Sequence, residues 1–237
     1  MRILFVLPVY NEEKIIKENL LQLNTYLADN LVDEYLIVVA DNNSTDRTAE
    51  QIQKLVEQNK NIYYFFIKQK GKGLAIKAAW QKYIDSFDVF IFMDADLATD
   101  LSATNGLIQE IKNGADMAIG SRYLKEAKVK RTVLRRLFSL VYRLFLKIFL
   151  GTKIKDFPCG FKAVTPRIVK EIIPQIKNNT WFFDTEMVYL AEKNNYKIKE
   201  VPVKWHEPRT KGNKSRVNLL KVSWQYFKEV LRLKFKD

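Results

Sequence analysis

The chain has 237 residues, of which 47% are hydrophobic and 28% charged, proportions that exclude a disordered or fibrous protein. Its 40 Lys and Arg residues outnumber 27 Asp and Glu, and the net charge of +13 predicts a polyanionic partner: nucleic acid, an anionic membrane or a phosphorylated substrate. A single cysteine, Cys159, excludes an internal disulfide, and a single histidine, His206, argues against a metal site built from several histidines.

The hydropathy of the chain predicts no membrane span. The apolar part of residues 1–13 is too short for a signal peptide, so we expect this segment to run directly into the fold. No stretch of about 18 uncharged apolar residues follows it.

Predicted strands and helices alternate along the first half of the chain. Strands are predicted at residues 2–7, 35–40, 62–67, 89–93 and 117–119, with helical spacing between them. Asn11 is expected to cap the first helix, whose core face would carry Ile16, Leu20, Leu23 and Leu27. The alternation predicts a parallel sheet with helices on both faces. Further strands are predicted at 159–164 and 197–205, around a loop and helix at 181–193.

The segment 89–100, VFIFMDADLATD, carries the strongest chemical signal. An apolar run typical of a buried strand ends in Asp94 and Asp96, and ligands of open α/β sheets bind at the carboxyl ends of strands. Two carboxylates there suit Mg²⁺ or Mn²⁺, which would in turn bind the phosphates of a nucleotide. In the alternative interpretation Asp96 only caps the next segment and Asp94 is a solvated strand end.

Two segments of the C-terminal half combine an apolar stripe with basic residues. Residues 133–150 place Leu134, Val141 and Ile148 on one broad face, and the C-terminal stretch repeats the pattern with Trp224 and Phe227. Such helices are typical of a membrane interface, and two of them in a basic chain strengthen that prediction. The alternative is a core helix with a solvated basic edge.

A set of motifs resembles the family 2 glycosyltransferases of GT-A fold, of the dolichyl- or polyprenyl-phosphate sugar synthase type. The motifs are PVYNEE at 8–13, ADNNSTDRT at 40–48, GKGLAIKAA at 71–79, MDADL at 93–97, GSRY at 120–123, RRLFS at 135–139, DFPCGFKA at 156–163, WFFDTE at 181–186 and EVPVKW at 200–205. The resemblance implies one GT-A domain over 1–237, a Rossmann-like, mostly parallel α/β sheet flanked by helices. Residues 1–122 would bind the nucleotide-sugar, and residues 123–237 would carry the acceptor site and amphipathic interfacial helices.

The resemblance also implies roles for individual residues. The nucleotide-sugar would contact Pro8, Tyr10, Glu12, Val39, Asp41, Lys72, Asp94, Ala95, Arg209, Lys211 and Arg216. The catalytic residues would be Asp96, Arg122 and Arg135, of which the two arginines would hold phosphates. The metal, Mg²⁺ or Mn²⁺, would be held by Asp94 and Asp96. For Tyr10 and Val39 plain core packing is the alternative, and for each Lys or Arg it is a solvated surface charge.

Three departures from the family pattern lie near the donor. Asn42 and Asn43 stand where the family usually has Asp and Gly, Ala98 stands where many relatives have Gln, and residues 213–216 depart from a simple Gly-Ser-Lys. Because of these departures, the sequence does not decide whether the donor is UDP-glucose or GDP-mannose.

The implied reaction transfers a hexose, with inversion, to a polyprenyl or dolichyl phosphate at the cytoplasmic face of a membrane, to which the protein would bind peripherally. A phosphate monoester has a second pKa of about 6 and needs no general base, which agrees with the lack of an obvious histidine base. A glycan hydroxyl acceptor is the alternative, with Asp156, Asp184 or Glu186 as base, although Asp184 is expected to cap a helix. A nucleic-acid partner is disfavoured, because it leaves Asp94 and Asp96 unexplained.

Overall fold

A computed structural model of the protein describes residues 1–129, 133–206 and 219–235, with side chains except at 133–138 and 219–223. The strands are β1 Arg2–Val9, β2 Glu34–Asp41, β3 Ile62–Phe66, β4 Val89–Met93, β5 Met117–Ser121, β6 Lys128–Val129, β7 Phe161–Val164, β8 Ile198–Pro202 and β9 Lys204–Trp205. The helices are α1 Ile16–Asn30, α2 Thr48–Gln58, α3 Lys72–Lys82, α4 Ala103–Lys112, α5 Val133–Leu150, α6 Pro166–Glu171, α7 Phe183–Lys193 and α8 Leu219–Phe235, with a 3-10 turn at Ile173–Gln175.

Seven strands form the central sheet in the order β3-β2-β1-β4-β7-β5-β8. All neighbours are parallel except β7, which runs antiparallel to both β4 and β5. This mostly parallel sheet flanked by helices confirms the predicted α/β fold class. The alternation of strands and helices did not predict the antiparallel strand, because orientation depends on the path that the chain takes after α5. Strands β6 and β9 form a separate parallel pair.

The core is continuous on both sides of the sheet. All five residues of β4 are buried, as expected for a central strand covered by helices on both faces. The Trp80 side chain of α3 packs on this strand, with its ring centroid 6.2 Å from that of Phe90 and 5.9 Å from that of Phe92. Helix α1 buries the predicted face of Ile16, Leu20, Leu23 and Leu27.

The start of α1 differs from the prediction. The helix begins at Ile16 and has no side-chain cap, so the expectation that Asn11 caps it is wrong. Asn11 instead has the left-handed backbone angle φ 54° and accepts a hydrogen bond from the Thr45 N–H at 2.7 Å. Its amide is therefore used to join two loops.

Helices α5 and α8 pack against each other through aromatic rings. The ring centroids of Phe145 and Phe227 are 5.3 Å apart and nearly parallel. Leu146 of α5 is 1% exposed. The outer face of the same helix is apolar and exposed, at Leu140, Val141, Leu144 and Ile148. Helix α5 thus contributes to the core on one side and presents apolar side chains to the surroundings on the other.

Within the described ranges, no helix is long and apolar enough to cross a bilayer.

Two leucines of α5 provide a matched test of this two-sided helix. Leu146→Ala is expected to lower the free energy of unfolding by about 2–5 kcal/mol, because it leaves a cavity in a packed site. Leu144→Ala is expected to change it by less than about 0.5 kcal/mol, since the side chain is 55% exposed. Urea denaturation of the purified variants measures both values, and equal losses would contradict the assignment of Leu146 to the buried side and Leu144 to the exposed side of α5.

Candidate active site

Two loops at the carboxyl ends of the neighbouring strands β1 and β2 are joined by hydrogen bonds. The Asn11 N–H donates to Ser44 Oγ at 2.9 Å, and the Glu12 N–H donates to Thr48 Oγ1 at 2.8 Å. Asn43 in the second loop has φ 61°, a left-handed conformation that Asn tolerates and Gly prefers. This explains how Asn stands at a position where the resemblance expects Gly.

The residues expected to contact the nucleotide lie around these loops with different exposure. Pro8 and Glu12 are half-buried. Tyr10 is exposed, and its hydroxyl accepts a hydrogen bond from Lys70 Nζ at 2.8 Å. Val39 is completely buried, so its side chain packs in the core and offers no surface to a base. For Val39 the structure therefore favours the alternative interpretation.

Asp41 is almost fully buried, with both carboxylate oxygens in use. Oδ1 accepts the Ser44 N–H at 2.9 Å, and Oδ2 accepts the Tyr64 hydroxyl at 2.7 Å. Burial and this hydrogen bond raise the pKa of Tyr64 well above its ordinary value, so the phenol stays protonated as the donor. The Asp41 carboxylate orders the β2–α2 loop, and its predicted contact with a base stays a prediction.

The two acidic residues after β4 lie at the edge of the sheet next to these loops. The Ala98 N–H donates to Asp96 Oδ1 at 3.2 Å, and Asn19 of α1 donates to the Ala95 carbonyl oxygen at 2.8 Å. The helix that follows, α4, begins at Ala103. Asp96 is therefore not the cap of α4, but its carboxylate caps the turn that directly follows it, as the alternative interpretation expects, and metal binding by Asp96 stays a prediction.

Asp94 belongs to a chain of alternating charges. Lys72 Nζ is 2.8 Å from Asp94 Oδ1 and 3.1 Å from Asp184 Oδ2, while Lys162 Nζ is 2.9 Å from Asp184 Oδ1. The side chains of Lys72, Asp184 and Lys162 are nearly or completely buried, whereas that of Asp94 is 41% exposed. We call Lys162, Asp184, Lys72 and Asp94 the charge chain.

The carboxylate of Asp184 is committed to this chain. Helix α7 has Phe182 at its cap position and no side-chain cap, so the expectation that Asp184 caps it is wrong. The sequence motif around Lys162 was recognised, but no role was assigned to this lysine. The sequence does contain a signal for a role of Lys162, because it is a charged residue inside an otherwise apolar predicted strand. A lysine at such a position needs a buried partner of opposite charge.

Two members of the charge chain, Lys72 and Asp184, have shifted pKa values. Burial alone would lower the pKa of Lys72, but the carboxylates of Asp184 and Asp94 outweigh it and raise that pKa. Burial alone would raise the pKa of Asp184, but Lys162 and Lys72 outweigh it and lower that pKa. Both groups are therefore charged at neutral pH.

Gly160 makes room for Asp94. The Asp94 N–H donates to the Gly160 carbonyl oxygen at 3.0 Å. A Cβ added at Gly160 would overlap Asp94 Oδ2. The glycine of the DFPCGFKA motif is thus required by the position of the carboxylate on the neighbouring strand.

Arg122 forms a buried pair with Asp156. Its Nε and Nη2 donate to the two carboxylate oxygens at 2.7 and 2.6 Å, and the Arg122 N–H donates to Asp156 Oδ2 at 2.8 Å. The pair fixes the segment after β5 against the loop before β7, and phosphate binding by Arg122 stays a prediction. The side chain of Arg135 and the whole of Arg209, Lys211 and Arg216 lie outside the described residues.

The three carboxylates considered as bases for a hydroxyl acceptor are all buried and bound. Asp156 is held by Arg122, and Asp184 by two lysines. Glu186 is 1% exposed, accepts two backbone N–H groups of residues 177 and 178, and lies 2.8 Å from Arg232. None of the three offers a free carboxylate oxygen to a substrate proton.

The chemistry of Asp94 and Asp96 fits a divalent metal. In the described part of the chain, no three His, Cys, Asp or Glu side chains converge on one point. A site with only two carboxylates suits Mg²⁺ or Mn²⁺ bound mainly through substrate phosphates and water. Asp96 and the half-exposed Asp94 are the residues that would hold it.

The strand β9 adjoins the loop that carries Asp96. The His206 N–H donates to the Ala98 carbonyl oxygen at 3.0 Å, and Thr99 pairs with Trp205. The His206 side chain is exposed, as expected from the sequence, but its proximity to the acidic loop was not predicted because the contact spans more than a hundred residues.

Comparison with known proteins identifies the family. The sequence profile described as Glycosyl transferase family 2 matches residues 4–173. The chain is 30% identical over 249 residues to a dolichyl-phosphate beta-glucosyltransferase of Dictyostelium discoideum, covering 98% of this chain and 73% of the relative. It is 33% identical over 243 residues to a dolichol-phosphate mannosyltransferase of Pyrococcus furiosus, covering 98% and 64%.

A solved structure shares the fold. Glucosyl-3-phosphoglycerate synthase of Mycobacterium tuberculosis, in complex with Mn²⁺, UDP and glucosyl-3-phosphoglycerate, superimposes with a TM-score of 0.73 at 18% identity, covering 98% of this chain and 79% of that one. The chain spans 33% to 73% of the length of the first two curated relatives that it matches. The profile and the relatives confirm the resemblance to sugar synthases of the dolichyl-phosphate type, and the chain belongs to glycosyl transferase family 2.

Proposed function

We propose that the protein transfers a hexose from a nucleoside diphosphate sugar to a polyprenyl or dolichyl phosphate, with inversion and with the help of Mg²⁺ or Mn²⁺. The observation that carries the choice of acceptor is the burial of Asp156, Asp184 and Glu186 in ion pairs. A hydroxyl acceptor needs a base to take its proton, whereas a phosphate monoester is already ionised near neutral pH.

The donor would bind where the β1–α1 and β2–α2 loops meet the end of β4. The half-buried Glu12 and the exposed Tyr10 are the side chains best placed for the nucleoside. The diphosphate would lie at Asp96, with Arg209, Lys211 and Arg216 as further expected contacts. When bound there, a divalent metal supplies Lewis-acid stabilisation of the charge that grows on the leaving diphosphate. Lys72, 2.8 Å from Asp94 Oδ1, would hold the Asp94 carboxylate in place at the same site.

The acceptor phosphate would enter a small cavity beside α5. Ser139 and Arg143 of α5 line it together with Tyr123, Lys155 and further residues of the loop before β7. The Arg143 guanidinium lies over the Tyr123 ring, 4.6 Å from its centroid. Two cations and a hydroxyl in one cavity suit a phosphate. Arg122 and Arg135 are further proposed phosphate ligands.

The lipid chain of the acceptor would lie on the exposed apolar face of α5. Leu140, Val141, Leu144 and Ile148 are between 49% and 67% exposed, and Trp224 of α8 adds a ring that is 61% exposed. Contiguous exposed apolar surface of this kind marks an interaction site. With a net charge of +13, an anionic membrane surface is the proposed partner, and peripheral binding at the cytoplasmic face the proposed location.

The proposed reaction predicts metal-dependent labelling of a lipid. Radiolabelled UDP-glucose, GDP-mannose and UDP-N-acetylglucosamine are each incubated with the protein, a polyprenyl phosphate and Mn²⁺ or Mg²⁺. One donor is expected to label the lipid phase. Asp96→Ala should lower the rate by about a hundredfold or more, because the metal that would stabilise the leaving diphosphate loses a ligand. Asp85→Ala, at a carboxylate that is 80% exposed in its pair with Lys170, is the control and should keep full activity. Label in a glycan instead of the lipid would favour the hydroxyl-acceptor alternative.

Gly160→Ala tests the position of Asp94 without removing its charge. The added methyl group overlaps Asp94 Oδ2, so the carboxylate has to move and the transfer rate should fall by roughly tenfold or more, as for a misplaced catalytic group. Gly151→Asn, at an exposed position whose φ of 68° Asn tolerates and where an added Cβ meets nothing within 4 Å, controls for the loss of a glycine. Wild-type kinetics in Gly160→Ala would argue against a role for Asp94 in transfer.

Vesicle sedimentation tests the membrane face. Val141→Glu is expected to reduce binding to anionic phospholipid vesicles by about tenfold, since it replaces buried apolar contact by a charge that repels the surface. Val32→Glu changes a fully exposed valine just after the end of α1 and should bind as the wild type does. Equal effects of the two substitutions would show that only net charge matters and would contradict the assignment of this face.

A further inference from the structure

We propose that Asp184 and Lys162 are positioning residues of the active site, which hold Lys72 against Asp94 so that the Asp94 carboxylate is oriented before a donor binds. This inference rests on the proposed function, because Asp94 would face the nucleoside diphosphate and the metal. Lys162 is completely buried and Asp184 is 4% exposed, so both act through Lys72 rather than by touching a substrate.

The charge chain runs from the interior to the site. Lys162 donates to the Cys159 carbonyl oxygen and to Asp184 Oδ1, the second at 2.9 Å. Asp184 Oδ2 accepts a hydrogen bond from Lys72 Nζ at 3.1 Å, and Lys72 Nζ lies 2.8 Å from Asp94 Oδ1. Each oxygen of Asp184 thus has one lysine. The chain ends at Asp94, its only half-exposed member.

Aromatic rings restrict the two lysines further. Lys72 Nζ lies 5.3 Å from the ring centroids of Phe92 and Trp181, and Lys162 Nζ lies 5.2 Å from that of Phe92. These distances are typical of cation–π contacts. A lysine on the surface samples many rotamers. Lys72 is instead held between two carboxylates and two rings, so its ammonium group stays beside Asp94.

The signs of the charges explain why Asp184 is needed. Lys72 and Lys162 each contact one oxygen of Asp184, and without this carboxylate Lys162 would be a buried cation without its ion-pair partner and Lys72 would keep only Asp94. The alternative is a purely structural role, in which the ion pair of Asp184 and Lys162 only holds α7 against β7. Removing one positive and one negative charge together separates the two interpretations, because replacing a buried ion pair by uncharged residues is often tolerated by the fold.

The test uses the double variant Lys162→Met/Asp184→Asn and Mn²⁺ as the probe, titrated by isothermal calorimetry in the presence of UDP or GDP. The variant is expected to unfold near the wild-type temperature but to bind Mn²⁺ with about 10–100-fold lower affinity, the usual cost of losing an outer partner of a metal ligand. Asp33→Asn/Lys112→Met removes the pair at 2.7 Å next to the amino end of β2, at the opposite edge of the sheet. This control should bind Mn²⁺ as the wild type does.

The single variant Asp184→Asn adds a second readout. It leaves Lys162 buried without its carboxylate, so its unfolding temperature should fall, and adding Lys162→Met should restore the temperature but not the Mn²⁺ affinity. Recovery of both would overturn the inference, because a purely structural tie predicts that affinity follows stability.

The remaining outcomes separate the inference from the proposed function. A folded double variant with wild-type Mn²⁺ affinity overturns the inference, as does a wild-type protein that binds no Mn²⁺ with either nucleotide. If the wild type binds Mn²⁺ with a nucleotide but labels no lipid, the proposed acceptor is wrong. A tenfold loss of affinity in the double variant would then still support the positioning role.

Discussion

The position of the Asp94 carboxylate depends on a cation close to it and on a gap beside it. Much of the surrounding structure serves to provide these two features. Two carboxylates separated by one residue repel each other, and a cation close to one of them offsets this repulsion. Lys72 supplies that cation at 2.8 Å, and Gly160 supplies the gap. The cation comes from helix α3, and the gap comes from the residue just before strand β7, so the position of Asp94 depends on both elements.

The placement of α3 relies on close packing against α7. A Cβ added at Gly73 would lie 2.5 Å from Phe183 Cβ, so only a glycine allows the two helices to approach as they do. This approach brings Asp184, the next residue, within reach of Lys72. The packing and the electrostatics of the site are therefore coupled, and a change in one is expected to disturb the other.

The antiparallel strand β7 joins the two halves of the molecule. It inserts between β4 and β5, brings Gly160 and Lys162 to the charge chain, and leaves Asp156 beside Arg122. The neighbours of that pair in sequence, Tyr123 and Lys155, line a cavity with Arg143 of α5, and the outer face of the same helix is apolar and exposed. The charge chain and the exposed apolar face of α5 are thus connected through one short strand and the loop before it.

Much of this arrangement was predictable from local patterns. The apolar run of β4 and the periodicity of α1 were read correctly, because burial in a sheet or under a helix imposes a spacing that a single segment displays. The two acidic residues at the strand end were recognised for the same local reason. The helix cap assigned to Asn11 failed, because a tertiary partner, Thr45, competed with the helix end for the same side chain.

The sequence by itself determined the fold class, the family and the edge of the sheet at which chemistry is expected, since these follow from spacing and from motifs in order. Only the tertiary structure decided that Val39 is buried in the core, that Asp184 binds two lysines and that Lys162 belongs to the site. The physical reason is that a buried charge is defined by its partners, and those of Asp184 lie 112 and 22 residues away along the chain.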